Sequence, residues 1–258
     1  MTQFVTTDGI IAFDLLEAQT PVHFPAPTLT LLHNFMSTGR AAWGALLPVL
    51  NQRFRILLPD LPGHGRSVGH PVNYDHTLIA CQIADLMRSV GAESGHLAGC
   101  SSGGMIAQLL VHKRLVQPAT LCLISTTHST DPQRSGASNS LIPEHFQAGH
   151  RWLEATALLH DPFQGQGYFE ETVLPGFRRL TPALAIDLPL AALGDFDLPV
   201  CVIHGDHDEF FPASVPQRMV AAMPSAELHM MAHQTHALIF RQPRKVADVM
   251  DEFLQRCG

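Results

Sequence analysis

Residues 95–104 read GHLAGCSSGG, two serines set among glycines. Gly99-Cys100-Ser101-Ser102-Gly103 fits the pattern Gly-x-Ser-x-Gly when Ser101 is the central residue; centring on Ser102 puts Cys100 where the first glycine belongs. A serine held on a sharp strand-to-helix turn needs small neighbours, because the backbones on either side approach closely. A helix beginning just after it aims free N–H groups and a positive dipole end at the reacting centre. On five residues alone a harmless serine-glycine turn is also open. A serine at its free pKa is a weak nucleophile, so the chain must also supply a base and a group to orient that base.

The order Ser…Asp…His predicts a carboxylate after a later strand and a histidine near the end. Residues 202–208, VIHGDHD, end an apolar run in a turn carrying Asp206 and Asp208. Residues 233–236, HQTH, offer His233 and His236 just before the last amphipathic segment. At this point either aspartate and either histidine remains available. The chain holds 16 histidines, which invites a metal reading. His204 and His207 form H-x-x-H with carboxylates nearby, but they do not lie on a helix at i, i+4 and no third ligand accompanies them. No metal is expected in the chemistry. No G-x-G-x-x-G follows a strand, and Gly63-His64-Gly65 lacks the third glycine, which disfavours a nicotinamide or flavin; no cofactor is expected.

These residues need a scaffold. Apolar runs of strand length recur at Thr28–His33, Phe54–Pro59, Gly95–Gly99, Ala119–Ser125, Pro199–His204 and Ala226–Met231. Helix-periodic segments at Thr77–Val90, Met105–His112 and Pro243–Leu254 alternate with them. Continuous apolar strands separated by helices predict an α/β fold with a doubly wound, mostly parallel sheet. Phe4–Thr6 and Ile10–Leu16, joined by Asp8-Gly9, predict an antiparallel hairpin at its edge. Between 127 and 198 the rhythm breaks, with Pro143, Pro162, Pro175, Pro182 and Pro189 punctuating amphipathic pieces. That is too long for an ordinary loop. A core of 1–126 and 199–258 with a mainly helical lid insertion at 127–198 is the expected organisation. Trp152, Phe163, Tyr168, Phe169 and Phe177 of the insertion then line or cover a pocket, or form the insertion's own core.

Composition fits this plan. Of the 258 residues 46% are hydrophobic and 15% charged, enough for a large core. A formal charge of −7 with 16 Lys and Arg gives no basic footprint for nucleic acid and no patch for a membrane surface. The first residues do not read as a signal peptide, and no run reaches the ~18 apolar residues of a membrane span. Five scattered cysteines are expected as reduced thiols of a cytoplasmic protein.

Beyond the serine motif, residues 59–67, PDLPGHGRS, together with Gly205-Asp206-His207-Asp208 and His236, stand in fixed order. In these stretches the chain resembles the α/β-hydrolase fold family over nearly its whole length outside the insertion. The resemblance implies that Ser101 is the nucleophile, His236 the general base and acid, and Asp208, the last residue of G-x-x-D, the group that orients His236. It implies an oxyanion hole made by the backbone N–H groups of Ser102 and Phe35, with the Ser102 hydroxyl incidental. Asn34 stands where the family commonly has glycine, and asparagine tolerates positive φ better than most residues. A similar asparagine occurs in some lactone-cleaving members. The expected partner is a small-molecule ester, lactone or thioester, cleaved through an acyl-enzyme. Carbon–carbon bond hydrolysis and a non-catalytic ligand binder are the competing readings on the same fold.

Overall fold

The computed structural model describes residues 2–20, 25–70, 73–136 and 142–257. Eight strands form one sheet: β1 Thr2–Val5, β2 Ile10–Leu16, β3 Thr28–Leu32, β4 Arg55–Pro59, β5 His96–Cys100, β6 Thr120–Ile124, β7 Val200–Gly205 and β8 Ala226–Met231. Their spatial order is β1-β2-β4-β3-β5-β6-β7-β8. β1 and β2 pair antiparallel, as does β2 with β4; from β4 onward every pairing is parallel. β3 lies between β4 and β5, so chain connections leave it in opposite directions and open a crevice at its carboxyl end.

Among the described residues ten α-helices accompany the sheet: α1 Gly39–Trp43, α2 Leu47–Leu50, α3 His76–Ser89, α4 Ser102–His112, α5 Pro132–Ser135, α6 His150–Gln164, α7 Leu174–Arg178, α8 Ser214–Ala222, α9 Leu238–Arg241 and α10 Pro243–Cys257. The central strands alternate their side chains between two cores. Leu97, Leu121, Leu123 and Val202 face α3, α4 and α8. Ala98, Cys122, Ile124 and Ile203 face Trp43, Leu50, Val246 and Phe253 on the other side. Both faces are apolar because both are covered, which is why these strands read as unbroken hydrophobic runs. α3 is stopped at its start by Asp75, whose carboxylate accepts from the N–H groups of Thr77 and Leu78. α4 begins at Ser102, three residues before the periodic segment, and so carries Gly103 and Gly104 in its first turn. No helix was expected at the short α1 and α2, nor at α8.

The chain between β6 and β7 runs outside the sheet and carries α5, α6, a π-helical turn at Phe169–Val173 and α7. Residues 137–141 of the predicted insertion lie outside the described residues. Phe169, Val173, Leu174 and Phe177 pack with Phe35, Met36 and Tyr74 in a third apolar cluster, joining this segment to the loops above the sheet.

Those loops are tied down by buried polar groups. Asp60 accepts from the Gly39 N–H (2.9 Å) and from Arg66 Nε (2.7 Å), and Arg66 reaches on to Asp14 at 3.0 Å. Ser67 donates to the Asp60 carbonyl (2.6 Å) and accepts the N–H of Ala12 (2.9 Å). The stretch 59–67 is thus a clasp between β2, β4 and α1. His33 donates Nδ1–H to the Asn34 carbonyl and accepts the Leu61 N–H at Nε2 (both 2.8 Å). His160 of α6 accepts the Gly65 N–H at 2.9 Å.

Several of these histidines are held neutral. Burial pushes His33 down to about 4 against the opposing charge of Asp60, and pushes His76 down to about 4. Burial also lowers His64, His96, His160 and His204. In the unfolded chain these rings take up protons near pH 6.5, whereas the native ones do so only at lower pH. The contribution of His33 and His76 is therefore complete above about pH 6.5 and is lost as pH falls toward about 4, at up to about 1.4 kcal/mol per pH unit for each ring, and the other rings act in the same direction. Urea midpoints measured from about pH 7.5 to pH 5 should fall steeply below pH 6.5; a flat profile would show that these rings do not control acid stability.

Candidate active site

β5 delivers the serine pair to the crevice. Ser101 has φ 51° and ψ −116°, a conformation that only glycine adopts without strain. Two glycines make it possible. A Cβ on Gly99 would lie 2.3 Å from the Gly103 carbonyl oxygen, and one on Gly103 would lie 2.2 Å from that of Leu32. The strained residue is pinned on both sides: its N–H donates to Ile124 O (2.9 Å), and its carbonyl accepts from Thr126 Oγ1 (2.7 Å) and the Met105 N–H (3.0 Å). Thr126 was not foreseen from the sequence; only the pairing of β5 with β6 brings it here.

The turn aims Ser101 Oγ at His236, 3.0 Å from Nε2. His236 Nδ1 lies 2.9 Å from Asp208 Oδ2 and 3.2 Å from Oδ1. With Nδ1 donating to a carboxylate, Nε2 is left to accept from the hydroxyl. Asp208 is buried after β7. Its Oδ1 accepts the N–H groups of Phe210 (2.9 Å) and Phe211 (2.8 Å), and His204 Nε2 lies 3.2 Å from Oδ2. Burial alone would raise this carboxyl. The hydrogen bond from His236, with the imidazoles of His236 and His204 and the Phe211 N–H close by, outweighs burial and holds it below the ordinary aspartate value.

Of the competing residues, Asp206 has no hydrogen bond to His236 among the described residues, and His233 is exposed on the neighbouring loop. Cys100 is buried, and burial, helped by the Asp208 charge, pushes its thiol far up. His204, the first histidine of H-x-x-H, sits buried against Asp208 and Phe211 O (2.7 Å), away from His207.

Phe35 lines the same cavity as Ser101, Ser102 follows it in the chain, and neither N–H donates to a protein acceptor among the described residues. Two sequence expectations about this region need correction. The positive φ of the loop falls at Met36 (63°), not at Asn34, which instead donates Nδ2–H to the Phe35 carbonyl (3.1 Å). The hydroxyl of Ser102 is not incidental: it lies 2.8 Å from Nε2 of the buried His76, on α3. Because the two residues stand 26 apart in the chain, no local pattern announces the pair.

A cavity of about 330 Å³ opens onto Ser101 and His236. Phe146, Trp152 and Phe177 come to it from the 127–198 segment, Phe210 and Phe240 from the core, and no Lys or Arg lines it among the described residues. Of the five aromatics singled out in the insertion, Trp152 and Phe177 reach this cavity. Phe169 is buried in the third cluster, Phe163 is exposed, and Tyr168 donates to Gly63 O. Among the described residues Glu209 is the one carboxylate in the wall, and it accepts the backbone N–H of His236 at 2.9 Å.

Residues 31–249 match the model of a family described as the alpha/beta hydrolase family. The chain belongs to the alpha/beta hydrolase family. It is 28% identical over 244 residues to the protein named "Putative carbamate hydrolase RutD" of Serratia proteamaculans (strain 568), with 88% of this chain and 89% of that one covered. It is 25% identical over 248 residues to the pimeloyl-[acyl-carrier protein] methyl ester esterase of Aeromonas hydrophila, covering 88% and 95%. Among solved structures, the enol-lactonase of Burkholderia xenovorans LB400 superposes with a TM-score of 0.75 at 17% identity, over 98% of this chain and all of that one. That likeness is one of fold. An enzyme of this family is the reading that fold and relatives share.

The strain at Ser101 has a measurable signature. Ser101→Gly should be more stable than Ser101→Ala by about 1 kcal/mol, because relief of the backbone outweighs the added chain entropy of glycine. Denaturant unfolding of the two variants would check this, and equal stabilities would mean that the turn stores no strain.

Proposed function

We propose that this hydrolase cleaves a small, uncharged carboxylic ester or related acyl bond through an acyl-enzyme, with Ser101 as nucleophile. The observation that carries the reading is the unbroken relay from Ser101 Oγ to His236 Nε2 (3.0 Å) and from His236 Nδ1 to Asp208 (2.9 Å) at the floor of the cavity. The names of the relatives, one for a methyl ester and one for a carbamate, support acyl chemistry on this scaffold.

In this reading Ser101 Oγ attacks the carbonyl carbon as its proton passes to His236 Nε2, and Asp208 stabilises the imidazolium that forms. The negative oxygen of the tetrahedral intermediate is held by the N–H groups of Phe35 and Ser102. His236 gives the proton to the departing alcohol oxygen, leaving the acyl group on Ser101. Water then enters, loses a proton to His236 and attacks the acyl carbon; collapse returns the proton to Ser101 and frees the acid. The 127–198 segment serves as the lid whose Phe146, Trp152 and Phe177 surround the acyl chain. The strain at Ser101 argues against a non-catalytic binder, which gains nothing from a backbone conformation costing about 1–3 kcal/mol.

A fluorophosphonate should add once, on Ser101, as read by intact mass and peptide mapping. Ser101→Ala should lower kcat by roughly 10⁴ or more, and Asp208→Asn by a comparable factor, while Asp206→Asn stays near wild type. An adduct elsewhere, or equal losses at the two aspartates, would overturn the assignment.

The wall also predicts which charges the substrate avoids. An ester carrying a free carboxylate should show a lower kcat/KM than its neutral amide analogue, and Glu209→Gln should narrow that ratio by roughly threefold, the scale of a partly screened charge. A uniform loss for both substrates would mean that Glu209 acts only on the His236 loop.

A further inference from the structure

The loops that follow β7 and β8 carry more than Asp208 and His236. Side-chain ligand atoms of Asp206, His207 and His233 lie within 4.8 Å of one another. The rings of His207 and His233 meet edge to face at 5.4 Å. None of the three lines the cavity or touches the serine relay. The backbone already clips their two loops together: Asp206 N–H donates to Met231 O (3.2 Å) and His207 N–H to Gln234 O (2.9 Å). His233 is held at φ 59°, which fixes the direction in which its side chain leaves the second loop.

Asp206 adds an independent observation. Its Oδ1 is out of solvent and has no hydrogen-bond donor among the described residues. A carboxylate oxygen left in that state is costly unless a cation or donor meets it. Two imidazoles and one carboxylate are the donor set of borderline-soft divalent ions, with room for water to complete the shell. An ion about 2.1 Å from each ligand needs them roughly 3.4 Å apart, which requires only side-chain rotation of two exposed histidines.

We propose that Asp206, His207 and His233 form a binding site for a divalent transition ion of the zinc class, which staples the loop bearing Asp208 to the loop bearing His236. The ion takes no part in bond cleavage; it fixes the relative position of the two loops. A second group of potential ligands, Cys201, Glu227 and His229, is a poorer candidate. Glu227 there already accepts from His229 (2.8 Å) and Arg256 (2.6 Å), and Cys201 is a buried thiol.

The test uses untagged full-length protein, stripped with a chelator, desalted and titrated calorimetrically with Zn²⁺. One equivalent should bind with a Kd in the micromolar range. His207→Ala and His233→Ala should each weaken it by roughly tenfold or more, with far-ultraviolet circular dichroism unchanged. Zn²⁺ at about a hundredfold excess over Kd should raise the wild-type Tm by about 5 °C and leave that of the double variant unmoved. Co²⁺ should give a visible band without thiolate charge transfer. No binding by the wild type, equal binding by the double variant, or a thiolate band placing the ion at Cys201 would each overturn the proposal. The readouts do not depend on turnover, so the outcome is separate from that of the proposed ester hydrolysis.

Discussion

At the centre of the molecule one residue sits in a backbone conformation it would not choose, and much of the neighbouring structure exists to keep it there. Ser101 is caught between β5 and α4, with Gly99 and Gly103 giving up their side chains so that the two elements can approach. Ile124 and Thr126 hold it from β6 and beyond, and His76 holds the residue after it through the Ser102 hydroxyl. A local cost on the order of 1–3 kcal/mol is small against the burial of two apolar cores, which is why a sheet of eight strands can sustain it. The same geometry pushes Oγ out of the turn toward His236 and leaves the first N–H groups of α4 facing the same space.

Polar groups above the sheet act as fasteners. Asp60 with Arg66, His33 with Leu61, and His160 with Gly65 each join elements distant in sequence. Their value depends on being satisfied inside the protein, since an unpaired polar group there costs more than a paired one contributes. The histidines among them work as neutral hydrogen-bonding rings, not as charges, so sixteen histidines in the sequence do not amount to sixteen titrating sites.

The parts of this arrangement that the sequence made legible are those encoded within a few consecutive residues. The serine turn is local, because close approach at Gly99 and Gly103 demands glycine whatever lies elsewhere. The strands were legible from their apolar runs, and the hairpin of β1 and β2 from Asp8-Gly9. Order and spacing left Asp206 and Asp208, and His233 and His236, all open; the family resemblance implied Asp208 and His236, and the structure brings these two to Ser101, while Asp206 and His233 lie apart from the relay. What stayed hidden depends on contacts between separate elements. Ser102 with His76, Thr126 with the Ser101 carbonyl, and Phe146, Phe210 and Phe240 in the cavity wall leave no local trace. Asn34 shows the limit of arguing from residue type alone: its tolerance for positive φ was sound chemistry, but the loop places that strain at Met36.

The third apolar cluster divides responsibility in an unusual place. Ser101, Asp208 and His236 stand on loops of the sheet, whereas much of the cavity wall comes from the chain between β6 and β7. The two parts meet inside the cluster where Phe177 and Phe169 pack against Phe35, Met36 and Tyr74. Phe35 thus belongs at once to the wall and to the loop beside the serine. Grafting the corresponding segment of a relative onto this sheet would exchange the wall as one unit, yet the graft would seat properly only if residues 35, 36 and 74 travelled with it. The residues that build and seat the cavity wall are therefore discontinuous in sequence, and a breakpoint chosen from the linear order would cut through their packing.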